Sequence, residues 1–263
     1  MSGAANNPDS RRVAIADVEL DVIERGQGAP LLYLHGGAGI AGDHAFIDLL
    51  AQHRRVIAPS HPGFGTSSLP DWLDTVEDIA HIHLALLDRL GVATVDLVGM
   101  SLGGWIAADM ASKNPERFPR VALIGPIGVK TGPSDKLDIP DIFAMPEAAV
   151  EKLRFHDPEK QKADINQMTD EQLIVMTRNN ETLALLTWEP FMHDPKLKHR
   201  LHRVTAPVLL LRGVSDGIVS ADYLARYARL FPNVSIKTIA EAGHAAQIEQ
   251  PQATAKAILE FLQ

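Results

Sequence analysis

The chain contains no cysteine. Disulfides, thiol nucleophiles and cysteine-held zinc or iron–sulfur centres are therefore excluded, and a reducing, cytoplasmic setting is the expectation. No run approaches the roughly 18 apolar residues of a membrane-spanning helix. The opening "MSGAANNPDSRR" lacks the apolar stretch of a secretory signal. Positive charge is in deficit: 25 Lys and Arg against 33 Asp and Glu leave a net charge of −8. That argues against a dedicated nucleic-acid binder, which needs a basic patch. Internal repeats and low-complexity tracts are missing too. The 263 residues fit one large domain, or one domain with a sizeable insertion. With 46% apolar and 22% charged residues, the composition is that of an ordinary globular protein.

What is present is an alternation of two hydrophobic periods. Residues 12–24, "RVAIADVELDVIE", alternate apolar and polar, the pattern of a pair of short edge strands. After "GQGAP" come short continuous apolar runs: "LLYL" (31–34), "RVIAP" (55–59), "VDLVG" (95–99), "VALIG" (121–125), "PVLLLRG" (207–213) and "VSIKTIA" (234–240). Continuous runs suit strands covered on both faces. Between them, residues 74–90, 102–113, 220–231 and 251–262 carry apolar positions at helical spacing. Pro251 stands where a first helical turn tolerates proline. The expected fold class is α/β, a mostly parallel sheet of about eight strands flanked by helices.

Residues 130–204 break the alternation. They are rich in helix formers and prolines, and two helices are expected, over 146–154 and 169–186. A connection this long needs structure of its own. The expected division is a core of residues 1–129 and 205–263, with a helical cap of 130–204 inserted after the sixth strand.

In such a sheet, functional groups collect at the carboxyl ends of the strands. After "VDLV" stands Gly99-Met100-Ser101-Leu102-Gly103. G-x-S-x-G between a strand and a helix is a nucleophile elbow: a sharp turn exposes the serine, and a Cβ on either glycine would collide with the neighbouring chain. Composition alone gives about 0.06 chance matches, so the flanking strand and helix carry much of the weight. After "LLYL" stands His35-Gly36-Gly37-Ala38-Gly39. Gly37 or Ala38 there offers a backbone N–H to an oxyanion; Gly37 is the preferred donor, and Leu102 supplies the second N–H. After "PVLLLRG" comes Asp216, the residue to orient a histidine, although Asp-Gly is also ordinary turn chemistry. After the last strand comes His244, completing the order Ser, Asp, His. Ser101 attacks a carbonyl carbon, His244 shuttles the proton, and Asp216 holds the imidazole.

The other histidines have blander readings. His81 and His83 lie two apart on a helical stretch and do not share a face. His199 and His202 have no third partner in view. All four are expected to be solvated or capping residues. No metal and no cofactor are expected.

The segments "LHGGAG", "HPGFGTS" (61–67), "GMSLGG", "GVSDGIV" (213–219) and "GHAAQIEQP" (243–251) resemble the α/β-hydrolase superfamily, in order and over nearly the whole chain outside the cap. The resemblance implies a serine hydrolase with a helical cap that sets specificity. Several departures are informative. Ser60 and His61 stand where relatives often carry an aspartate before the Pro-Gly. Serine at the elbow argues against haloalkane dehalogenases and epoxide hydrolases, and Leu102 against cofactor-free haloperoxidases. The meta-cleavage C–C hydrolases agree in length and cap position, but they usually have tryptophan where this chain has Ala245, and many have asparagine in place of Met100. These two differences place carboxylic-ester hydrolysis first. C–C hydrolysis of a vinylogous diketone comes second and lactone hydrolysis third. A ligand-binding receptor or scaffold is disfavoured by the intact Ser101, Asp216 and His244.

The expected partner is a small or medium, largely apolar ester-like molecule. Nucleic acid and membrane are not expected, and a homodimer is left open. The candidate pocket comprises Ala38, Met100, Phe143, Met145, Trp188, Met192 and Ala245, against the blander alternative that the apolar cap residues form the cap's own core. No arginine cluster marks a carboxylate site, although Arg178, Arg200 and Arg203 are available.

Overall fold

The computed structural model describes residues 10–161 and 165–263. The apolar runs become eight strands: β1 Ser10–Ile15, β2 Val18–Arg25, β3 Pro30–Leu34, β4 Arg55–Pro59, β5 Asp96–Met100, β6 Val121–Ile124, β7 Val208–Gly213 and β8 Val234–Ile239. They form one sheet in the order β1-β2-β4-β3-β5-β6-β7-β8. β1 and β2 pair antiparallel, and β2 runs antiparallel to β4. Every other pairing is parallel.

The continuous runs follow from burial on both faces. Along β3, Leu32 and Leu34 join one core with helices α2 (Val76–Arg89), α3 (Leu102–Lys113) and α7 (Ala221–Ala228). Leu31 and Tyr33 join the other core, with α1 (His44–Ala51) and α9 (Pro251–Phe261). Each fully buried leucine contributes about 1.5–3 kcal/mol. The chain winds outward from β3 to β4, then returns to lay β5 on β3's other side. Crevices form at the strand ends where winding reverses in this way.

Two expectations need correction. "VSIKTIA" is not buried on both faces: β8 is an edge strand, and Ser235 through Thr238 are exposed. His83 is not solvated. It is fully buried on the inner face of α2, while His81, His199 and His202 are exposed. α1 was not among the expected helices, although Phe46, Ile47 and Leu50 give it an apolar stripe.

Between β6 and β7 lie α4 (Glu147–Arg154), a single turn α5 (Pro158–Gln161) and α6 (Asp170–Thr187). The N-terminus of α6 carries a capping box, Thr169 with Gln172. The four-residue α8 (Ala246–Glu249) precedes α9. No helix among the described residues is long and apolar enough to cross a membrane.

Candidate active site

The turn after β5 holds Ser101 at φ 51°, ψ −111°, a region a residue with a Cβ rarely enters. Two close approaches fix the neighbouring glycines. A Cβ on Gly99 would stand 2.3 Å from the Gly103 carbonyl oxygen, and one on Gly103 would stand 2.1 Å from that of Leu34. The Ser101 N–H donates to the Ile124 carbonyl at 2.9 Å, tying the turn to β6. The hydroxyl thus sits at the N-terminus of α3, beside the reversal of the sheet.

Asp216 and His244 follow β7 and β8. The Ser101 Oγ to His244 Nε2 distance is 2.9 Å, and His244 Nδ1 stands 3.0 Å from Asp216 Oδ2. Asp216 Oδ1 accepts from the N–H groups of Ile218 and Val219 at 2.9 and 2.8 Å, which fixes the carboxylate. With a carboxylate facing Nδ1, that nitrogen carries the proton and Nε2 is left to accept from the hydroxyl. The carboxylate is fully buried and the ring nearly so, which strengthens their attraction. Gly125 passes beneath the pair at φ +48°; a Cβ there would lie 3.0 Å from the His244 ring. This chain of groups can take the hydroxyl proton as Oγ attacks a carbonyl.

Gly36 brings the two glycine turns together. A Cβ on it would lie 2.9 Å from Met100 Sδ and 3.5 Å from Ser101 Cβ. Leu102 opens α3, so its N–H has no partner inside the helix. Gly37 lies in the tight turn closed by the Gly39 N–H donating to the Gly36 carbonyl.

Of the candidate pocket residues, Met100 and Ala245 are buried at this centre. Ala38 is exposed, and its carbonyl accepts from Asn179. Phe143 and Met145 are partly buried. Phe143 packs its ring on Trp188 and Phe191, at 5.9 and 6.2 Å between centroids. Met192 is buried, with its carbonyl accepting from the Gly128 N–H. Trp188 is 59% exposed. The reason is its place on α6. Asn179, Thr182, Leu183 and Leu186 face inward, and Trp188 lies nine residues after Asn179, about half a turn around from it.

Contacts not foreseen from the sequence join the 125–207 segment to the loops that carry Gly37, Asp216 and His244. Leu183 lies over Gly37, where a Cβ would meet its methyl groups at 2.7 and 2.8 Å. Asn179 accepts from the Gly65 N–H and donates to the Ala38 carbonyl. Arg178 is bound to the carbonyls of Gly65 and Ser67. At the other end, the Leu153 carbonyl accepts from the Gly217 N–H, and the Arg154 carbonyl from the His244 N–H at 2.7 Å. Glu249 accepts from the N–H groups of Gly243, His156 and Asp157. Most of these bonds run to backbone groups, which a residue pattern does not display.

The family described as alpha/beta hydrolase fold matches residues 29–159. The chain is 27% identical to the 2-hydroxymuconate semialdehyde hydrolase of Pseudomonas sp. (strain CF600), over 100% of this chain and 97% of that protein. It is 30% identical to a 2-hydroxy-6-oxononadienedioate/2-hydroxy-6-oxononatrienedioate hydrolase of Paraburkholderia phymatum, over 88% and 86%. The solved 2-hydroxy-6-oxo-6-phenylhexa-2,4-dienoate hydrolase of Rhodococcus sp. strain RHA1 superposes with a TM-score of 0.76 at 22% identity, covering 96% of this chain and 98% of that one. Sheet order and full-length similarity agree: the chain is a hydrolase and belongs to the α/β-hydrolase superfamily.

Proposed function

We propose that this hydrolase works through Ser101 and cleaves the carbon–carbon bond beside a ketone carbonyl, in a substrate of the 2-hydroxy-6-oxo-dienoate class. The observation that carries the serine mechanism is the hydrogen-bonded series Ser101, His244, Asp216. Ser101 attacks the ketone carbon while His244 takes its proton. The N–H groups of Gly37 and Leu102 receive the oxyanion, each worth a few kcal/mol of barrier (about 3). The departing carbon leaves as a carbanion, which is feasible when a conjugated carbonyl spreads its charge, and His244 returns the proton. Water activated by His244 then releases the acid from Ser101. Asp216 stabilises the imidazolium in both halves. Residues 130–204 act as the cap, with Leu183 above the oxyanion loop. Support for the carbon–carbon reading is the similarity to two hydrolases of this class over most of each chain.

Ester hydrolysis is the second reading. Ala245 and Met100 favour it, since the carbon–carbon hydrolases which the sequence resembles usually place tryptophan at the first position and many place asparagine at the second. Two assays separate the readings. A panel of chromogenic 6-oxo-dienoates and a series of p-nitrophenyl esters are compared by kcat/KM, and a fluorophosphonate is tested for labelling at Ser101. Labelling, with the best dienoate at least about tenfold above the best ester, is the expected result. The reverse ranking moves the chain to the esterases. No labelling and no turnover overturns both readings.

A further inference from the structure

Three histidines lie fully buried beneath the oxyanion loop: His35 at the end of β3, His61 after β4 and His83 on α2. Their bonds form a directed series. The His61 backbone N–H donates to His35 Nε2 at 3.0 Å. That leaves the proton of neutral His35 on Nδ1, which stands 2.7 Å from the Gly36 carbonyl oxygen and donates to it. His61 Nε2 stands 2.9 Å from the His35 carbonyl, an acceptor only, so Nε2 carries the proton. His61 Nδ1 is then an acceptor, and the nitrogen 2.8 Å away, His83 Nε2, is its donor. His83 Nδ1, at the end of the series, is buried without a partner. One set of neutral tautomers therefore satisfies every bond. Burial without a carboxylate partner keeps the rings neutral, holding His35 at about 4 and His83 at about 3.

The series ends on one peptide unit. The Gly36 carbonyl and the Gly37 N–H belong to the same planar group and point in opposite directions. His35 Nδ1–H and the Gly39 N–H both donate to that carbonyl, at 2.7 and 3.0 Å. Together they fix the plane, and with it the direction of the Gly37 N–H. Donation to the carbonyl also polarises the peptide and strengthens its N–H as a donor. His35 and His61 stack with centroids 3.8 Å apart, and Phe64 closes the edge of both rings, so neither ring is free to turn.

We propose that His61 and His83 are positioning residues for the oxyanion site: His83 sets the tautomer of His61, His61 seats His35, and His35 aims the Gly37 N–H. The proposal rests on the Ser101 mechanism above. Its claim is that a side chain on α2, outside the active site, acts on turnover through three hydrogen bonds.

The test compares His83→Leu, which fills the space without a donor, with His83→Gln, whose amide N–H reaches the place of Nε2–H. The expected result for His83→Leu is a kcat lower by at least about tenfold with KM within about twofold, because the oxyanion forms only in the transition state. His83→Gln is expected to recover kcat to within about threefold of wild type. A loss below about threefold in His83→Leu overturns the proposal. So does an equal loss in both variants, which identifies a packing role alone. Imidazole nitrogen shifts of the folded wild-type protein give a second measurement that needs no variant. The expectation is a proton on Nδ1 of His35 and on Nε2 of His61 and His83; an Nε2–H tautomer of His35 overturns the relay. Wild-type protein that neither turns over substrate nor labels at Ser101 defeats the serine mechanism instead, and the nitrogen shifts still report on the series itself.

Discussion

α3 and α6 flank the same loops and are built by opposite rules. Every residue of α3 except Lys113 is buried. Its small residues, Gly103 and Gly104 and three alanines, let it lie close against the strands. In α6 only Asn179, Thr182, Leu186 and Thr187 are buried, and the first two spend their side chains on loop carbonyls and an N–H. Its outer surface carries Ile174, Leu185 and Trp188, at 65%, 52% and 59% exposure. The core helix is held by apolar area, which is large and non-directional. The outer helix joins that core only through Leu186 and Leu183 and adds a few directed hydrogen bonds, each worth about 0.5–1.5 kcal/mol net. One arrangement makes a platform under Ser101. The other lies as a cover over the loops of Gly37, Gly63 and Gly65.

The largest effects belong to the platform. Gly103→Ala places a Cβ 2.1 Å from the Leu34 carbonyl, a backbone collision that rotamer changes do not relieve. Loss of at least about 3 kcal/mol of stability in urea unfolding is expected, in the range of severe core disruptions. A variant that melts with wild type would show that α3 and β3 separate to admit the methyl group at no cost. Ser101→Ala leaves the fold intact and is expected to lower kcat about 10⁴-fold or more. A residual rate within tenfold of wild type would remove Ser101 from the mechanism.

An acid titration tests the buried interior of the same platform. His83 is held at about 3, below its ordinary 6.5, because burial disfavours its charged form. Above pH 6.5 both folded and unfolded chains carry it neutral. Below that, the unfolded chain takes up the proton and the folded chain does not, so stability falls with pH by up to about 1.4 kcal/mol per unit for this one group. Asp43 and Asp109, raised to about 6 mainly by burial, act in the opposite sense as pH falls from 6 towards 3.8. The difference between wild type and His83→Gln cancels these carboxylates. Unfolding free energies measured from pH 7 to 4.5 are expected to fall more steeply in wild type. Parallel curves would place His83 in contact with water.

The contrast also governs what could be read from the chain. Ser101, Asp216 and His244 stand at strand ends, where a one-residue motif meets a change of hydrophobic period, and both signals are written in residue types. His83 was misread because it was weighed as a metal ligand paired with His81. Its position four residues after Ile79 and three before Leu86 put it on the buried stripe of α2. β8 was misread because being at a sheet edge is a property of strand order, not of the strand's own residues. The inward face of α6 carries Asn179 and Thr182 and its outward face carries tryptophan, so the hydrophobic pattern pointed the wrong way round. Carbonyl acceptors such as those of Gly63, Ala38 and Arg154 have no residue signature at all.

The cover predicts intermediate and small effects. Asn179→Ala unties the Ala38 carbonyl and the Gly65 N–H together. About 1–3 kcal/mol of stability should be lost, and KM should rise more than kcat falls, since the loops lose their cover but not their chemistry. Unchanged melting and unchanged KM would mean that water replaces the amide without penalty.

Trp188→Ala should do least, although tryptophan is the largest side chain. With 59% of its surface in solvent and one ring contact to Phe143 at 5.9 Å, its removal should lower stability by less than about 1 kcal/mol. It lies on the solvent side of α6, opposite Asn179, so kcat/KM across a series of substrate chain lengths should keep its wild-type profile. Leu183, five residues nearer the N-terminus and lying over Gly37, is the contrasting substitution: Leu183→Ala should change that profile, with the longest acyl chains gaining most. A reversal, in which Trp188 sets the length profile and Leu183 does not, would mean that α6 turns its outer face toward the substrate in the working enzyme, and that its hydrophobic pattern describes a bound state different from the one its hydrogen bonds now hold.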